Sequence, residues 1–185
     1  MLIAQITDLH IGTAAHLGLN ADRLTSVVNR LNEIRPDLVL ATGDLCEKGS
    51  PADYELARDL LAPLAAPLLP VIGNHDERHA FRAAFDQAAE GDSFLQYVRD
   101  FSGRRIIVLD TVEAGQHGGA FCDARQAWLE QRLDEAPDTP TLIALHHPPV
   151  RSGIEWMDVG VDGPWSRRLN QALSGRQQVV GLVAG

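Results

Sequence analysis

The stretch Leu69-Pro70-Val71-Ile72-Gly73-Asn74-His75-Asp76 places a short apolar run before a glycine and three polar residues. An apolar strand that ends in a glycine and then in polar side chains is how an α/β sheet presents chemistry at its carboxyl edge. The run therefore predicts a buried strand, with Asn74, His75 and Asp76 as candidate functional residues. The same pattern recurs along the chain, so we interpret the sequence as several strand ends around one site.

Similar groups follow three other apolar runs: Asp8 with His10, Asp44 after Gly43, and His146 with His147 before Pro148 and Pro149. An Asp and a His two residues apart on an extended segment point to the same side, so both can reach one cation. A lone Asp-x-His or Gly-Asp is more often a strand-end cap or a turn. Asn-His-Asp after glycine is more specific, because it combines a neutral oxygen ligand with an imidazole beside a carboxylate. The occurrence of all four motifs at strand ends of one sheet favours a functional site.

Length and composition limit the classes of protein that the sequence fits. The chain has 185 residues, of which 45% are hydrophobic, and a net charge of −9. It is long enough for one globular domain, here residues 1–185, and too acidic for a general binder of nucleic acid polymers. An anionic small substrate remains compatible with this charge, because bound metal ions supply local positive charge.

Two cysteines without a paired framework predict a reducing, cytoplasmic setting. The first residues, 1–8, have no basic region and meet a charge at Asp8, so they do not resemble a signal peptide. No apolar run approaches the ~20 residues that a membrane span needs, so no membrane partner is expected.

Hydrophobic periodicity, caps and proline positions predict seven strands and five helices. The strands are predicted at 2–7, 38–42, 68–72, 94–101, 105–110, 141–145 and 179–184, and the helices at 21–34, 51–61, 77–85, 123–135 and 164–173. Alternation of strands and helices indicates an α/β domain. The hairpin signal Ser102-Gly103 adds an antiparallel pair and makes the sheet mixed.

The ordered set Asp8-x-His10, Gly43-Asp44, Gly73-Asn74-His75-Asp76 and His146-His147-Pro148 resembles the calcineurin-like metallophosphoesterases over essentially the whole chain. Within that superfamily it is most similar to class III cyclic-nucleotide phosphodiesterases and glycerophosphodiester phosphodiesterases. There the second motif has the form Gly-Asp-Leu-x-x-x-Gly, as residues 43–49 do here. The Ser/Thr protein phosphatases instead carry Asp-Arg-Gly where this chain has residues 47–49. The resemblance implies a metallophosphoesterase-type α/β sandwich of mixed sheets flanked by helices.

The resemblance also implies a centre of two divalent metal ions. Asp8 and His10 would bind the first ion, Asn74 and His146 the second, and Asp44 would bridge both. Mixed imidazole, carboxylate and amide ligands suit manganese, iron or zinc. The two ions would hold a hydroxide for in-line attack on the phosphorus, so no covalent nucleophile is needed.

Two histidines are implied to act beside the metals. His75 would be the acid near the leaving-group oxygen, oriented by Asp76, and His147 is a candidate substrate contact. The implied substrate is a small phosphodiester, either a cyclic nucleotide such as cyclic AMP or a glycerophosphodiester. Two alternatives stay open: a phosphomonoesterase or nucleotide pyrophosphatase on the same site, and a non-catalytic fold that binds phosphorylated ligands. Members of the branch often form dimers or larger assemblies, which makes a homo-oligomer an option.

Several other polar or aromatic residues are open to two interpretations. Loop histidines His16 and His117 either touch substrate or are solvated, and Cys46 either lines the site or is a small buried residue. Trp156 and Trp165 frame a substrate pocket or an oligomer contact, or pack in the core. Asp110 ends a strand without a histidine partner and is interpreted as a supporting or capping residue.

The family's last motif, Gly-His-x-His after a strand, has no counterpart in residues 179–185. We therefore expect the chain to be part of a longer protein, with the C-terminal part of the fold missing. A short homologue with a degenerate site is the alternative. With three ligands at each metal, we expect weaker binding and lower activity than in an extended chain, which Mn²⁺ titration of both would test.

Overall fold

The structure is a computed structural model that describes residues 1–14, 18–85, 94–155, 157–158 and 160–185. Among these residues the elements, in chain order, are β1 (Ile3–Ile6), α1 (Gly18–Ile34), β2 (Leu38–Thr42), α2 (Pro51–Leu61), β3 (Leu68–Val71), α3 (Arg78–Ala84), β4 (Tyr97–Phe101), β5 (Arg104–Val108), α4 (Asp123–Asp134), β6 (Thr141–Ala144), α5 (Pro164–Leu173) and β7 (Val179–Val183). Every predicted element is present, with ends that differ from the prediction by at most three residues. None of the helices in this described part has the length and apolar character needed to cross a bilayer.

The strands form two sheets rather than one. The first sheet has the order β1-β2-β3, and all its strands are parallel. The second has the order β4-β5-β6-β7, with β4 antiparallel to β5 and the remaining pairs parallel. The α/β class with mixed sheets is thus confirmed, while the expectation that all strand ends share one sheet is wrong.

Strand β5 shows how the two sheets and the helices are layered. Ile106 and Val108 belong to the core that also contains the first sheet and the buried faces of α1 and α2. Ile107 and Leu109 instead pack with buried side chains of α4 and α5. Successive side chains of a strand point to opposite faces, so the second sheet lies between the first sheet and these two helices. The result is a sandwich of two sheets with helices on both outer sides.

The loop after β1 is fixed to the start of α2. Ser50 accepts a hydrogen bond from the backbone of Asp53 at 3.2 Å, and the Asp53 side chain accepts from the Ser50 backbone, which makes a capping box. The same Asp53 carboxylate accepts from the backbone of Thr13 at 2.8 Å. One buried side chain therefore starts a helix and also positions the loop that follows the first strand.

Candidate metal centre and cavity

The carboxyl ends of β1, β2, β3 and β6 deliver their polar side chains to one cavity of about 620 Å³. All five residues predicted as metal ligands line it: Asp8, His10, Asp44, Asn74 and His146. Three of these ends belong to the first sheet and one to the second, so the site lies where the two sheets meet. The topology thus brings together residues separated by more than a hundred positions in the chain.

The first two strand ends leave their strands through strained backbone. Asp8, His10 and Asp44 have φ values of 53°, 46° and 51°, in the left-handed region that side chains other than glycine seldom occupy. Hydrogen bonds between the two loops hold this geometry, from Asp8 N to Gly43 O at 3.1 Å and from His10 N to Asp44 O at 3.0 Å. Such strain costs roughly 1–3 kcal/mol per residue and persists where the surroundings enforce it, commonly at functional sites.

The glycines before Asp44 and Asn74 give these side chains room. A Cβ on Gly43 would lie 2.3 Å from Nδ1 of His146, and one on Gly73 would lie 2.2 Å from Oδ1 of Asp44. Gly43 also has a φ of +102°. The Gly-Asp and Gly-Asn-His motifs therefore have a steric cause, because the ligand side chains pack directly against the glycine backbone.

Two groups of ligand atoms lie close enough to hold cations. Asp8, Asp44 and His146 form one group and His10, Glu47 and His75 the other, and within each group the ligand atoms lie within 4.8 Å of one another. These groups differ from the predicted division, which places Asp8 with His10 on one ion and His146 with Asn74 on the other, and that division stays a prediction. Asp44 lies between the histidines: its Oδ1 is 3.5 Å from Nε2 of His146, and its Oδ2 is 3.8 Å from Nε2 of His10.

The partners of His146 leave its Nε2 facing the site. Nδ1 is 2.8 Å from the Thr42 carbonyl, which can only accept, so Nδ1 carries a proton. Nε2 is 3.2 Å from Oδ1 of Asn74, whose Nδ2 lies 3.4 Å from Nδ1 of His117. A histidine with one nitrogen bonded to a backbone carbonyl and the other directed at oxygen ligands is the usual arrangement of a metal-ligating imidazole. The side chains present therefore fit divalent cations with mixed nitrogen and oxygen ligands.

Asp44 and His146 shift each other's titration. Burial alone would raise the pKa of Asp44, but the hydrogen bond and charge of His146, together with the backbone N–H of His75 at 2.9 Å, hold that pKa below its usual value. Burial alone would lower the pKa of His146, yet the contact with Asp44 raises it above the usual value. Each group therefore favours the charged form of the other, which keeps a negative carboxylate at Asp44.

His75 is held by Glu47, a residue that sequence reasoning missed. Nδ1 of His75 is 3.0 Å from the backbone carbonyl of Glu47, and its ring stands edge-on to His10 with 4.7 Å between centroids. The Glu47 carboxylate also approaches Nδ1 of His10 at 2.9 Å, although not along a hydrogen-bond direction. Its place three residues after Asp44, in the loop that carries the second motif, was the available signal.

Asp76 does not orient His75 as predicted. Its carboxylate accepts hydrogen bonds from the backbones of Gly73, Leu45 and Cys46, at 2.9, 3.2 and 3.1 Å, and from the Tyr54 hydroxyl at 2.9 Å. Burial raises its pKa to about 6 in spite of these donors. The predicted role for Asp76 is therefore wrong: this side chain ties the loops after β2 and β3 to each other and to α2.

His147 uses both ring nitrogens within the protein. Its Nδ1 is 2.8 Å from the Thr111 hydroxyl, and Nε2 donates to the carbonyl of His117 at 3.1 Å. Burial and the neighbouring His146 lower its pKa to about 4, so the ring is neutral near pH 7. His147 lines the cavity and positions the loop of His117, and its predicted contact with substrate stays a prediction.

The residues with two possible interpretations separate into cavity-lining, core and capping residues. His16 and Trp156 lie outside the described residues. His117 is exposed and lines the cavity beside Asn74, and Trp165 lines it as well. Cys46 is fully buried in the core. Asp110 caps the backbone of Val112 and pairs with Arg78 at 2.8 Å, which confirms its capping interpretation.

Comparisons with known proteins show what the whole chain is similar to. The model of the calcineurin-like phosphoesterase family matches residues 1–170. A probable cyclic nucleotide phosphodiesterase of Rhodopseudomonas palustris is 39% identical over 167 residues, which cover 85% of this chain and 61% of the relative. A probable glycerophosphodiester phosphodiesterase of Arcobacter nitrofigilis is 32% identical over 193 residues, which cover 100% and 71%.

Solved structures share the fold. A crystal structure of a dimetal phosphatase from Danio rerio superposes with a TM-score of 0.80 at 15% identity, covering 100% of this chain and 81% of that protein. The chain spans about three fifths of the length of the Rhodopseudomonas palustris relative and about seven tenths of the Arcobacter nitrofigilis relative. The expectation of further ligands beyond Gly185 stays a prediction; Gly185 itself lines the cavity and donates to the His146 carbonyl at 2.9 Å.

Proposed function

The chain belongs to the calcineurin-like phosphoesterase family, and we propose that it is a metal-dependent hydrolase of small phosphodiesters. The relatives named above are a probable cyclic nucleotide phosphodiesterase and a probable glycerophosphodiester phosphodiesterase. Both names describe phosphodiesters of small molecules, and the acidic net charge of −9 argues against a nucleic acid polymer as substrate.

The position of Asp44 carries the proposal. Its two carboxylate oxygens face different imidazoles, Oδ2 toward His10 and Oδ1 toward His146, as a carboxylate that bridges two cations must. Asp8 and His10 would hold one cation with Asp44, and Asn74 and His146 the other. Bound divalent cations supply Lewis-acid chemistry, since they neutralise charge on a phosphoryl group and lower the pKa of coordinated water. The donor set suits manganese, iron or zinc more than calcium.

His75 is the proton donor in this proposal. Because Nδ1 donates its proton to the Glu47 carbonyl, Nε2 is the atom left for the leaving-group oxygen, and it can give up a proton only from the doubly protonated ring. The backbone N–H of His75 also donates to Asp44, so the acid and the proposed bridging ligand are fixed relative to each other. General acid catalysis of this kind contributes about 10²–10⁴-fold.

The charges of the cavity favour a diester over a monoester. Among the described residues that line it there is neither lysine nor arginine. A phosphomonoester carries up to two negative charges near pH 7, whereas a diester carries one, and enzymes that bind dianionic phosphate commonly use arginine or lysine. A site whose positive charge would come mainly from bound cations suits the diester.

Hydrolysis with two leaving groups tests the proposal. We expect Mn²⁺-dependent hydrolysis of bis(p-nitrophenyl) phosphate and of cyclic AMP, with Asn74→Ala lowering kcat/KM for both. His75→Ala should lower kcat/KM by about 10²–10⁴-fold for cyclic AMP, whose alkoxide leaving group needs a proton. The loss should be smaller for p-nitrophenolate, which leaves without one.

The matched control is His79→Ala, a histidine exposed on α3. It should keep the wild-type rates for both substrates. Wild-type rates in Asn74→Ala, or equal losses for the two leaving groups in His75→Ala, would contradict the assigned roles. Faster turnover of p-nitrophenyl phosphate than of either diester would replace the diesterase with a monoesterase.

A further inference from the structure

Part of the cavity lining takes no role in the proposed chemistry. It consists of residues without a charged side chain: Gly118, Gly119, Pro148, Met157, Val161 and Trp165. The titratable side chains of the lining belong instead to the metal centre or to His117 and His147. A bound phosphodiester would therefore have its phosphate at the metal centre and one ester group near an apolar wall, whose largest surface is the Trp165 ring.

Trp165 is held rigidly in this wall. Its indole Nε1 donates to the carbonyl of Gly160 at 3.0 Å, so the only polar atom of the ring has a partner inside the protein. Gly119 packs against the ring so closely that a Cβ there would lie 2.7 Å from Cζ2. The ring also meets His147 at 70° with 6.5 Å between centroids. A binding surface fixed by hydrogen bonding and packing loses little freedom when a ligand arrives.

The chemistry of the wall discriminates between ester groups. A glycerol group carries hydroxyls that must be desolvated on binding. The side chains of Val161 and Trp165 have no free polar atom, and Met157 has only a weakly accepting sulfur, so they cannot compensate with strong hydrogen bonds. A planar aromatic ring has no such need and gains dispersion and apolar burial by stacking on an indole. The cavity volume of about 620 Å³ lies within the range of sites that enclose nucleotide-sized ligands.

We propose that Trp165, backed by Gly119, is the stacking surface for a planar ring in the substrate, and that it selects nucleoside phosphodiesters over glycerophosphodiesters. The inference rests on the proposed phosphodiesterase function and narrows its substrate class. Trp165 is then a specificity residue, and a base attached to the diester covers the indole while the phosphate lies at the metal centre.

Steady-state kinetics test the selection. In the Mn²⁺-loaded protein we expect Trp165→Ala to lower the ratio of kcat/KM for cyclic AMP to kcat/KM for glycerophosphoethanolamine by about 5- to 150-fold, the range for losing one aromatic stack. Trp165→Phe keeps a smaller ring and should restore most of the ratio. The matched control is Trp128→Ala on α4, where Trp128 packs with the outer-helix core away from the cavity lining. An unchanged ratio in Trp165→Ala would overturn the proposal.

Binding without metal gives a second measurement that does not depend on turnover. With EDTA present, adenosine, which carries no phosphate for the carboxylates of the metal-free cavity to repel, should quench the tryptophan fluorescence of the wild-type protein and of Trp128→Phe, but much less in Trp165→Phe. Glycerol should not quench. Equal quenching in Trp165→Phe, or none in the wild type, would overturn the stacking site.

The two measurements separate the inference from the function on which it rests. Adenosine quenching that depends on Trp165, without hydrolysis of any diester, would reject the phosphodiesterase and retain the stacking site. Hydrolysis with neither a changed ratio nor quenching would retain the phosphodiesterase and reject the stacking site.

Discussion

At the scale of single residues, the site depends on neighbours that hold the ligand side chains. Each of the three histidines contacts an atom at the end of β2 or in the loop after it: His146 the Thr42 carbonyl, His75 the Glu47 carbonyl and His10 the Glu47 carboxylate. A carbonyl only accepts, so it fixes which nitrogen of the imidazole carries the proton. These contacts leave Nε2 of His146 and of His10 directed at Asp44.

Glu47 is the neighbour whose side chain can be changed without disturbing the backbone contact to His75. We expect Glu47→Gln to raise the dissociation constant for Mn²⁺ by about 10- to 100-fold, because it removes the carboxylate beside Nδ1 of His10. The carbonyl that holds His75 stays in place. Isothermal titration with Mn²⁺ measures the change, with the exposed Glu55→Gln on α2 as the control. Equal affinity in Glu47→Gln and Glu55→Gln would show that the Glu47 contact does not support the metal site.

At the scale of elements, two features constrain the turn that follows β2: the left-handed backbone of Gly43 and the His146 ring packed against it. Gly43 has a φ of +102° and lies against the His146 ring, whereas Gly103, in the β4–β5 turn, has a φ of +73° and open space where a Cβ would be. Alanine at Gly103 would lower the free energy of unfolding only through its left-handed backbone, by about 1–2 kcal/mol.

Gly43→Ala should therefore destabilise the protein more than Gly103→Ala does. Its Cβ would lie 2.3 and 2.5 Å from Nδ1 and Cγ of the His146 ring, so the ring or the strand must move. Urea unfolding should give the larger loss for Gly43→Ala, and Mn²⁺ affinity should fall for that variant alone. Matching losses of stability and unaltered Mn²⁺ affinity in both variants would mean that the strand end adapts without moving the ligand.

The elements themselves were predictable because their signals are local. Apolar runs, the capping box at Ser50 and the Ser102-Gly103 turn each act within a few residues. The division of the strands into two sheets and the role of Asp76 were not predictable. Asp76 accepts from Leu45, 31 residues away, and from Tyr54, 22 residues away, and such partners exist only once the loops have met. Adjacency to His75 in sequence suggested the wrong contact.

The candidate site shows the same division. The five proposed ligands were named from the sequence because each follows its strand directly, and the parallel strands place their carboxyl ends together. Glu47 and the two ring contacts of His147 were missed or misassigned because they depend on backbone carbonyls and hydroxyls, whose positions no residue type reveals.

At the scale of the whole molecule, Asp110 joins parts of the chain that belong to different layers. It follows β5 and is fully buried. Arg78 of α3 makes two hydrogen bonds to its carboxylate, at 2.8 and 2.9 Å, and Arg125 of α4 lies 3.8 Å from it. The backbone of Leu95 donates to the same carboxylate at 2.9 Å. One side chain thus connects α3, which follows the first sheet, with the second sheet and its outer helix.

Removing the charge of Asp110 should therefore destabilise the whole fold. Asp110→Asn keeps the shape but leaves the buried guanidinium of Arg125 and the partly buried guanidinium of Arg78 without their counter-charge. Removing one partner of a buried pair costs about 3–5 kcal/mol. Asp100→Asn is the matched control, because Asp100 pairs with Arg105 at 2.9 Å on the surface and such pairs contribute about 0–1 kcal/mol.

Urea unfolding followed by circular dichroism and by tryptophan fluorescence measures both variants. If residues 1–185 form one domain as the sequence predicts, the two probes should report one coincident transition, shifted strongly by Asp110→Asn. Similar small shifts for both variants would mean that Asp110 does not couple the layers, and separate transitions would contradict the single domain.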